Sequence, residues 1–483
     1  MHSNAGTLMR ILTIVIALLM LVQVAPADTQ SLETLLAYLK SPNAGTRQDA
    51  ARRLGERRER SQLAVEALSV AARKDEDHNV REEAINSLGK IKDFTALPDM
   101  IAALKDARTN VRNTAVRSLV MLYTEHDIDF ITNRREGWNW FNPFLDTSDH
   151  EIIEPYIMVD PSIINALGET ARGDTERDVR ISAIRALGVL RGQTATAQLA
   201  DALNADQDVR IDVIRTFIKI GDPAAGSNLT PFFRDSNHKV RTQAMVAAGL
   251  LKYKPAVEPL LSVYGLGPEK KGTMSKVVGK VKGRFTYLPP RDEAALWALS
   301  LIGDERAEQV FVENMTDSDG DRRQYAFEGL ARIGDGRYLD QISRLVLTEK
   351  NGDVKLAEYW ALYRMGSRPN IQNIVRKLDT DQQEQARAYL LESTSPADLY
   401  PYIRASNKEV RRQVIEILGR IGDSDTIKEL EPVAQTSGAE TADLATVAIK
   451  RIEWRLAGRP RATDSVLRRS QTDSDRPRRA ANP

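Results

Sequence analysis

A phrase that returns about every 31 residues constrains this chain more than any other feature. Its fullest form reads D-x-x-V-R-x-x-A-x-x-x-L-G-x-I-G-D. Val80-Arg81 is followed by Ala84, Leu88, Gly89 and Ile91, and Val111-Arg112 by Ala115 and Leu119. Val179-Arg180 leads to Ala183, Ala186, Leu187 and Gly188, and Val209-Arg210 to Ile220, Gly221 and Asp222. Val240-Arg241 leads to Ala244 and Leu250, and Val410-Arg411 to Leu418, Gly419, Ile421, Gly422 and Asp423. Degenerate copies begin near Arg47, Asp292, Arg322, Val354, Gln385 and Ala442. Arg81 to Arg112 is 31 residues, Arg180 to Arg210 is 30 and Arg210 to Arg241 is 31. About twelve copies account for nearly everything between Ser31 and Trp454.

A fixed period of this length is the signature of stacked supersecondary units. Each copy reads as two helices. After V-R the apolar positions fall at helical spacing, as in Val179, Ala183, Ala186-Leu187 and Leu190. Asp or Asn ahead of V-R can cap the first turn, and Gly after the last apolar residue can supply a left-handed stop. The first helix is shorter, as in the stretch 195–203. One such pair cannot bury its apolar face alone, so the pairs must stack. Thin layers between helices take Leu, Ile, Val and Ala, which fits an aromatic content of only 6%. No stretch alternates with period two, so a sheet is not expected. The expected fold is all-α, a right-handed alpha-alpha superhelix of about twelve helical hairpins.

The V-R-x-x-A…A-L-G…I-G-D phrase resembles the short HEAT-like repeat of the type found in phycobilin lyase subunits. The resemblance covers most of the chain and implies an alpha-solenoid. A solenoid is a scaffold on which many tasks are built, so the resemblance implies architecture more than activity. Tetratricopeptide and ankyrin repeats have similar periods, but their signature residues are absent. In phycobilin lyases the resemblance would imply a tetrapyrrole chaperone in the cytoplasm, against which the N-terminus argues.

Arg10 precedes an uncharged apolar run over 11–24, then Ala25-Pro26-Ala27 and the polar Asp28. This is the layout of a secretory signal peptide. The run has 14 residues, short of the roughly 20 that a bilayer span needs. The alternative is an uncleaved N-terminal anchor. After cleavage no segment approaches a transmembrane span, and removing Arg10 leaves equal numbers of basic and acidic residues. The expected address is periplasmic or secreted. The chain has no cysteine, which suits an oxidising compartment and removes disulfides, zinc fingers and thiol nucleophiles. A formal net charge of +1 gives no field for nucleic acid, so no nucleic-acid partner is expected.

The repeat breaks in three places, and loops carry function disproportionately. The interruption at 123–161 holds Trp138, Trp140, Phe141 and Phe144 behind Arg134-Arg135. One reading is an interface anchor, since Trp and Arg dominate hot spots; the other is a plug that fills a gap in the array, the commoner fate of large rings. The insertion at 263–290 carries Lys270, Lys271, Lys276, Lys280, Lys282 and Arg284 among glycines. It reads as contact with an anionic envelope surface or acidic protein, or as a loop kept soluble by its charge. The tail from Arg459 to Pro483 has seven arginines, three aspartates and no aromatic, a composition expected to be disordered. The chain thus divides into a signal peptide (1–27), repeats (28–122), the aromatic interruption (123–161), repeats (162–262), the basic insertion (263–290), repeats (291–456) and the basic tail (457–483).

Motifs for chemistry are few. Asp317, Asp319, Asp321 and Glu328 partly imitate a calcium loop, but Arg322 stands where the sharp turn needs Gly. His126 and His150 have carboxylate neighbours, as transition-metal sites do. HEAT-like deoxyhypusine hydroxylases hold two irons on several His-Glu pairs; here only His150-Glu151 occurs, off the repeats. No phosphate-binding loop, nucleophile elbow, H-E-x-x-H helix or dinucleotide fingerprint occurs. The sequence is therefore read as an exported, non-enzymatic scaffold with a protein partner, no metal and no cofactor. The alternative is an enzyme or a metal- or small-molecule-binding protein with a site at 123–161. The V-R arginines are read as structural, pairing with turn Asp of the adjacent repeat, and the face lined by second helices as the contact area.

Overall fold

A computed structural model of the chain describes residues 30–124, 128, 130, 152–267, 289–392, 395–436 and 438–457. Among these residues there are helices and turns but no strand. By packing, the chain divides into two compact units, Met1–Ser118 and Leu119–Pro483, and each is taken by itself.

The described residues form twelve successive pairs, each with a leading and a trailing element. In the first unit the pairs are Leu32–Tyr38 with Ala44–Glu56, Gln62–Lys74 with His78–Ile91, and Leu97–Ala102 with Thr109–Met121, whose last turn runs past Ser118. In the second unit, pairs four to six are Pro161–Gly173 with Arg177–Val189, Thr196–Ala205 with Arg210–Ile220, and two 3-10 segments (Pro223–Asn228, Thr230–Arg234) with His238–Leu250. Pairs seven to nine are Val257–Tyr264 with Arg291–Ile302, Glu308–Asn314 with Gly320–Ile333, and Leu339–Thr348 with Gly352–Arg364. Pairs ten to twelve are Ile371–Val375 with Gln383–Leu391, the 3-10 segment Pro396–Tyr402 with Lys408–Ile421, and Ser424–Thr436 with Ala439–Ala457. The leading elements of pairs six and eleven are 3-10 rather than α; Pro401 lies inside the second and removes a donor there, while Pro223, Pro231 and Pro396 stand in first turns, where proline is tolerated.

The trailing helices start where the repeat phrase places them, with the cap three residues ahead of the phrase's Val. Asp77, Asn237 and Asn407 accept the backbone N–H of Asn79, Lys239 and Glu409. The glycines divide into two kinds. Gly221, Gly303 and Gly334 do end helices in the left-handed region, at φ +74°, +64° and +74°. The glycines of the L-G step lie inside helices and allow close approach instead. A side chain at Gly55 would collide with Ser87, and one at Gly249 would come within 2.9 Å of the Ala298 backbone. Where no glycine stands, a left-handed Lys92 (φ 58°) ends the helix.

The V-R arginines form a ladder between repeats, as the sequence indicated. Arg47 places Nε and Nη2 at 2.7 Å from the two carboxylate oxygens of Asp75, in the turn of the next pair. Asp75 in turn offers its backbone carbonyl to Arg81 Nη1 at 2.9 Å, and Arg81 forks onto Asp106 at 2.7 and 3.0 Å. Asp106 repeats the step, its carbonyl accepting from Arg112 Nη1 at 2.9 Å. In the second unit Arg180 holds Asp206, Arg210 holds Asp235 and Arg323 holds Glu349. These pairs are mostly shielded; Arg81 and Asp106 are 15% and 11% exposed. Burial pushes the Asp106 carboxyl up. The Arg81 hydrogen bond, the Arg108 N–H and the charges of Arg81 and Arg112 outweigh it, and hold the group below the usual carboxylate range.

Candidate functional site

Three trailing helices of the first unit frame a polar groove of about 160 Å³. Gln48 comes from Ala44–Glu56; Asn79, Glu82, Glu83 and Asn86 from His78–Ile91; Thr114 and Arg117 from Thr109–Met121. The register follows from the repeat. Val80, Ala84, Ile85 and Leu88 turn inward and are fully buried, so the positions between them, at helical spacing, form the opposite stripe. Thr114 Oγ1 donates to Glu82 Oε1 at 3.1 Å, and Asn86 Nδ2 to Glu83 Oε1 at 3.1 Å. Lys90 Nζ lies 3.9 Å from Glu83. The lining offers amide donors and acceptors side by side with carboxylates and the Arg117 guanidinium, groups that can pair with a polypeptide backbone and polar side chains. Sequence reading missed these residues. Their signal was the polar series 79, 82, 83, 86 on the outward side of one helix.

The second unit uses its charged trailing-helix residues differently. Arg332 forks onto Glu392 at 2.9 and 3.0 Å and donates through Nη1 to Ser300 O at 3.0 Å. Its guanidinium sits 4.8 Å from the Trp360 ring centroid, and Trp360 stacks on Tyr389 with centroids 4.3 Å apart. The Tyr389 hydroxyl donates to Glu328 at 2.7 Å and accepts from Gln385 Nε2 at 2.8 Å. Lys252 Nζ reaches Leu301 O at 2.6 Å and lies 3.7 Å from Glu392. Burial pushes the Glu392 carboxyl up, but the charges of Arg332, Lys252 and Arg364 and the Arg332 hydrogen bonds hold it at about 2. Burial raises Glu328, against the opposing Arg332 charge. At this seam the ends of trailing helices face one another rather than solvent: Glu328, Trp360 and Tyr389 are at most 1% exposed.

Trp138, Trp140, Phe141 and Phe144 lie outside the described residues, as do Lys270, Lys271, Lys276, Lys280, Lys282 and Arg284. So do His126, His150, the leader over 1–27 and the tail from 458. The calcium-like segment is described. Asp317 and Asp319 accept backbone N–H bonds at 2.8 and 2.9 Å and so cap the turn, while Glu328 points to Gln324 and Tyr389. These carboxylates therefore do not converge on a cation. Among the described residues no group of three or more His, Asp or Glu could hold a metal, and no helix is long and apolar enough to cross a membrane.

Comparison with known proteins agrees with this construction. A model of HEAT repeats matches residues 65–138, 160–265 and 396–482, more than half of the chain. The chain belongs to the HEAT-repeat family, in line with the resemblance carried by the V-R phrase. No curated protein gave a significant match. Among solved structures, the chain is similar to the CpcE–CpcF complex of phycocyanin lyase from Nostoc sp. PCC7120. The two share 18% identity over 64% of this chain and 97% of that one, with a TM-score of 0.28. It is also similar to an engineered protein (18% identity, 87% and 98% covered, TM-score 0.28). The karyopherin Kap121p, bound to the C-terminus of the phosphatase Cdc14p, shares 14% identity at a TM-score of 0.39. The match takes in 93% of this chain but 54% of Kap121p.

Proposed function

We propose that this protein is an exported, non-catalytic HEAT-repeat scaffold that binds a protein partner in the cell envelope. The observation that carries the reading is the division of labour among polar side chains. The repeat arginines and turn carboxylates are occupied in holding neighbouring pairs together. The groove of Gln48, Asn79, Glu82, Glu83, Asn86, Thr114 and Arg117 instead presents polar groups outward from three successive trailing helices. Stacked repeats create extended binding surfaces of this kind. The nearly all-polar lining, with carboxylates and a guanidinium side by side, suits an extended polar segment better than a large apolar anchor. Export rests on the leader over 1–27. The aromatic segment around Trp138–Phe144 and the basic segment Lys270–Arg284 supply further contacts, the second toward an anionic surface or acidic protein.

The test compares capture by the mature protein with capture by a Glu82→Lys/Glu83→Lys variant, using envelope extract from the native cell. The reading requires one stoichiometric protein captured by the wild type and at least tenfold weaker capture by the variant, with the helical circular dichroism unchanged. Equal capture by both removes the groove from the interface.

A further inference from the structure

In a solenoid each repeat ordinarily touches only its neighbours. The second unit breaks that rule twice. At the seam, Lys252 closes pair six and Glu392 closes pair ten, yet Nζ and Oε2 are 3.7 Å apart. Arg332 and Glu328 of pair eight reach Glu392 and Tyr389 of pair ten, across the intervening pair. The second instance spans the unit. Residues 152–157 are pinned to the end of the trailing helix of pair four: Ile153 N donates to Val189 O at 3.0 Å, and Arg191 Nε to Ile153 O at 2.9 Å. From this pinned segment Glu154 meets Arg451 of the last helix, Ala439–Ala457, at 3.0 Å. The pair is well shielded, with Arg451 9% and Glu154 21% exposed. Beside it lies the buried Tyr156 hydroxyl. Burial and the Glu154 charge raise that phenol, against the charge and hydrogen bond of Arg451 and the charge of Arg455.

We infer that the second unit is a self-closed array with a latch: Glu154–Arg451 joins its first pair to its last, and the Arg332–Glu392 seam seals its middle. The two contacts differ in how readily they release. The seam is redundant, with three cations around one carboxylate and a ring stack beneath. The latch rests on one ion pair with Tyr156 and Arg455 beside it and has neither a fork nor a ring stack, so it is the point at which the array opens. Opening there separates pairs four and twelve and exposes the ends of their trailing helices without dismantling any single repeat.

The chain has no cysteine, so two introduced thiols are unique spin-label sites. The full chain carrying Met158→Cys and Glu453→Cys, both at exposed positions, is measured by pulsed electron paramagnetic resonance. The parent gives one narrow distance distribution. Arg451→Gln replaces it by a longer, broader one, and amide exchange of 439–457 rises on the order of tenfold or more. The swapped pair Glu154→Arg/Arg451→Glu restores the narrow distribution, which distinguishes release of a latch from loss of fold. A broad distribution in the parent, or a narrow one surviving in Arg451→Gln, overturns the inference.

Discussion

Asp106→Asn in the first unit isolates what the ladder contributes. Asp106 performs three tasks. Its carboxylate receives the Arg81 fork at 2.7 and 3.0 Å, it accepts the Arg108 N–H at 2.8 Å, and its backbone carbonyl holds Arg112. Asn keeps the volume, the backbone contact and the cap, since Asn caps about as well as Asp. What it loses is the charge that makes the fork strong. Hydrogen bonds to charged groups contribute about 1.5–3 kcal/mol each. One bond of the fork can survive in the amide, so we expect Asp106→Asn to cost about 2 kcal/mol locally. Asp106→Ala strands a shielded guanidinium and should cost about 3–5 kcal/mol. The assay is native-state amide exchange of residues 78–91 and 109–121, which reports local opening free energies. About 2 kcal/mol appears as roughly 30-fold faster exchange. Combined with Arg81→Met, the double mutant should show a coupling of about 1–3 kcal/mol. Losses that simply add, within about 0.3–0.5 kcal/mol, would refute the idea that the two residues act as one tie between repeats.

Other perturbations follow from the same contacts. Gly249→Ala should destabilise by about 1–3 kcal/mol in chemical unfolding, because its methyl meets the Ala298 backbone at 2.9 Å. Gly173→Ala, with nothing within 4 Å, should stabilise by a few tenths to about 1 kcal/mol, and the opposite ranking would contradict the close-packing role. The carboxyls of Glu358 and Glu293 are pushed up to about 8, by burial first and then by Glu349 and by Asp321 and Asp319 respectively. Folding therefore favours their protonated forms. That stability is complete below about 4.3 and is lost as pH rises through 8, so Glu358→Gln should flatten the alkaline arm of a stability profile. The ladder acids Asp106, Asp206 and Glu349 are lowered by their arginines and N–H donors, which outweigh burial. They give the opposite arm, with stability lost as pH falls below the ordinary carboxylate range. Terminal sequencing of the exported protein should begin at Asp28; an intact Met1 would contradict cleavage.

The repeat made much of the architecture legible. The phrase V-R-x-x-A repeats because one arginine, one cap and one apolar stripe recur in every pair, and each is a local device. The arginine ladder could be read because its partner lies 25–28 residues on, the turn of the next copy. The glycines are legible in kind but not one by one, because Gly serves both left-handed ends and close approach, and the neighbouring helix decides which. The seam and the latch were not legible: Arg332–Glu392 spans 60 residues and Lys252–Glu392 and Glu154–Arg451 span far more, so no periodic pattern marks them. The groove was half legible, its outward stripe implied by the buried one, but nothing in a single helix shows that three stripes make one cleft.

Whether the trailing-helix groove of the first unit binds a protein can be read by crosslinking inside the native envelope. With the full chain in the cell, a groove that binds a protein yields a single stoichiometric protein crosslinked through Lys90, which lies beside Glu83, and loses that crosslink in Glu82→Lys/Glu83→Lys. Repeated failure to enrich any partner at Lys90, with equal yields from wild type and variant, would contradict it.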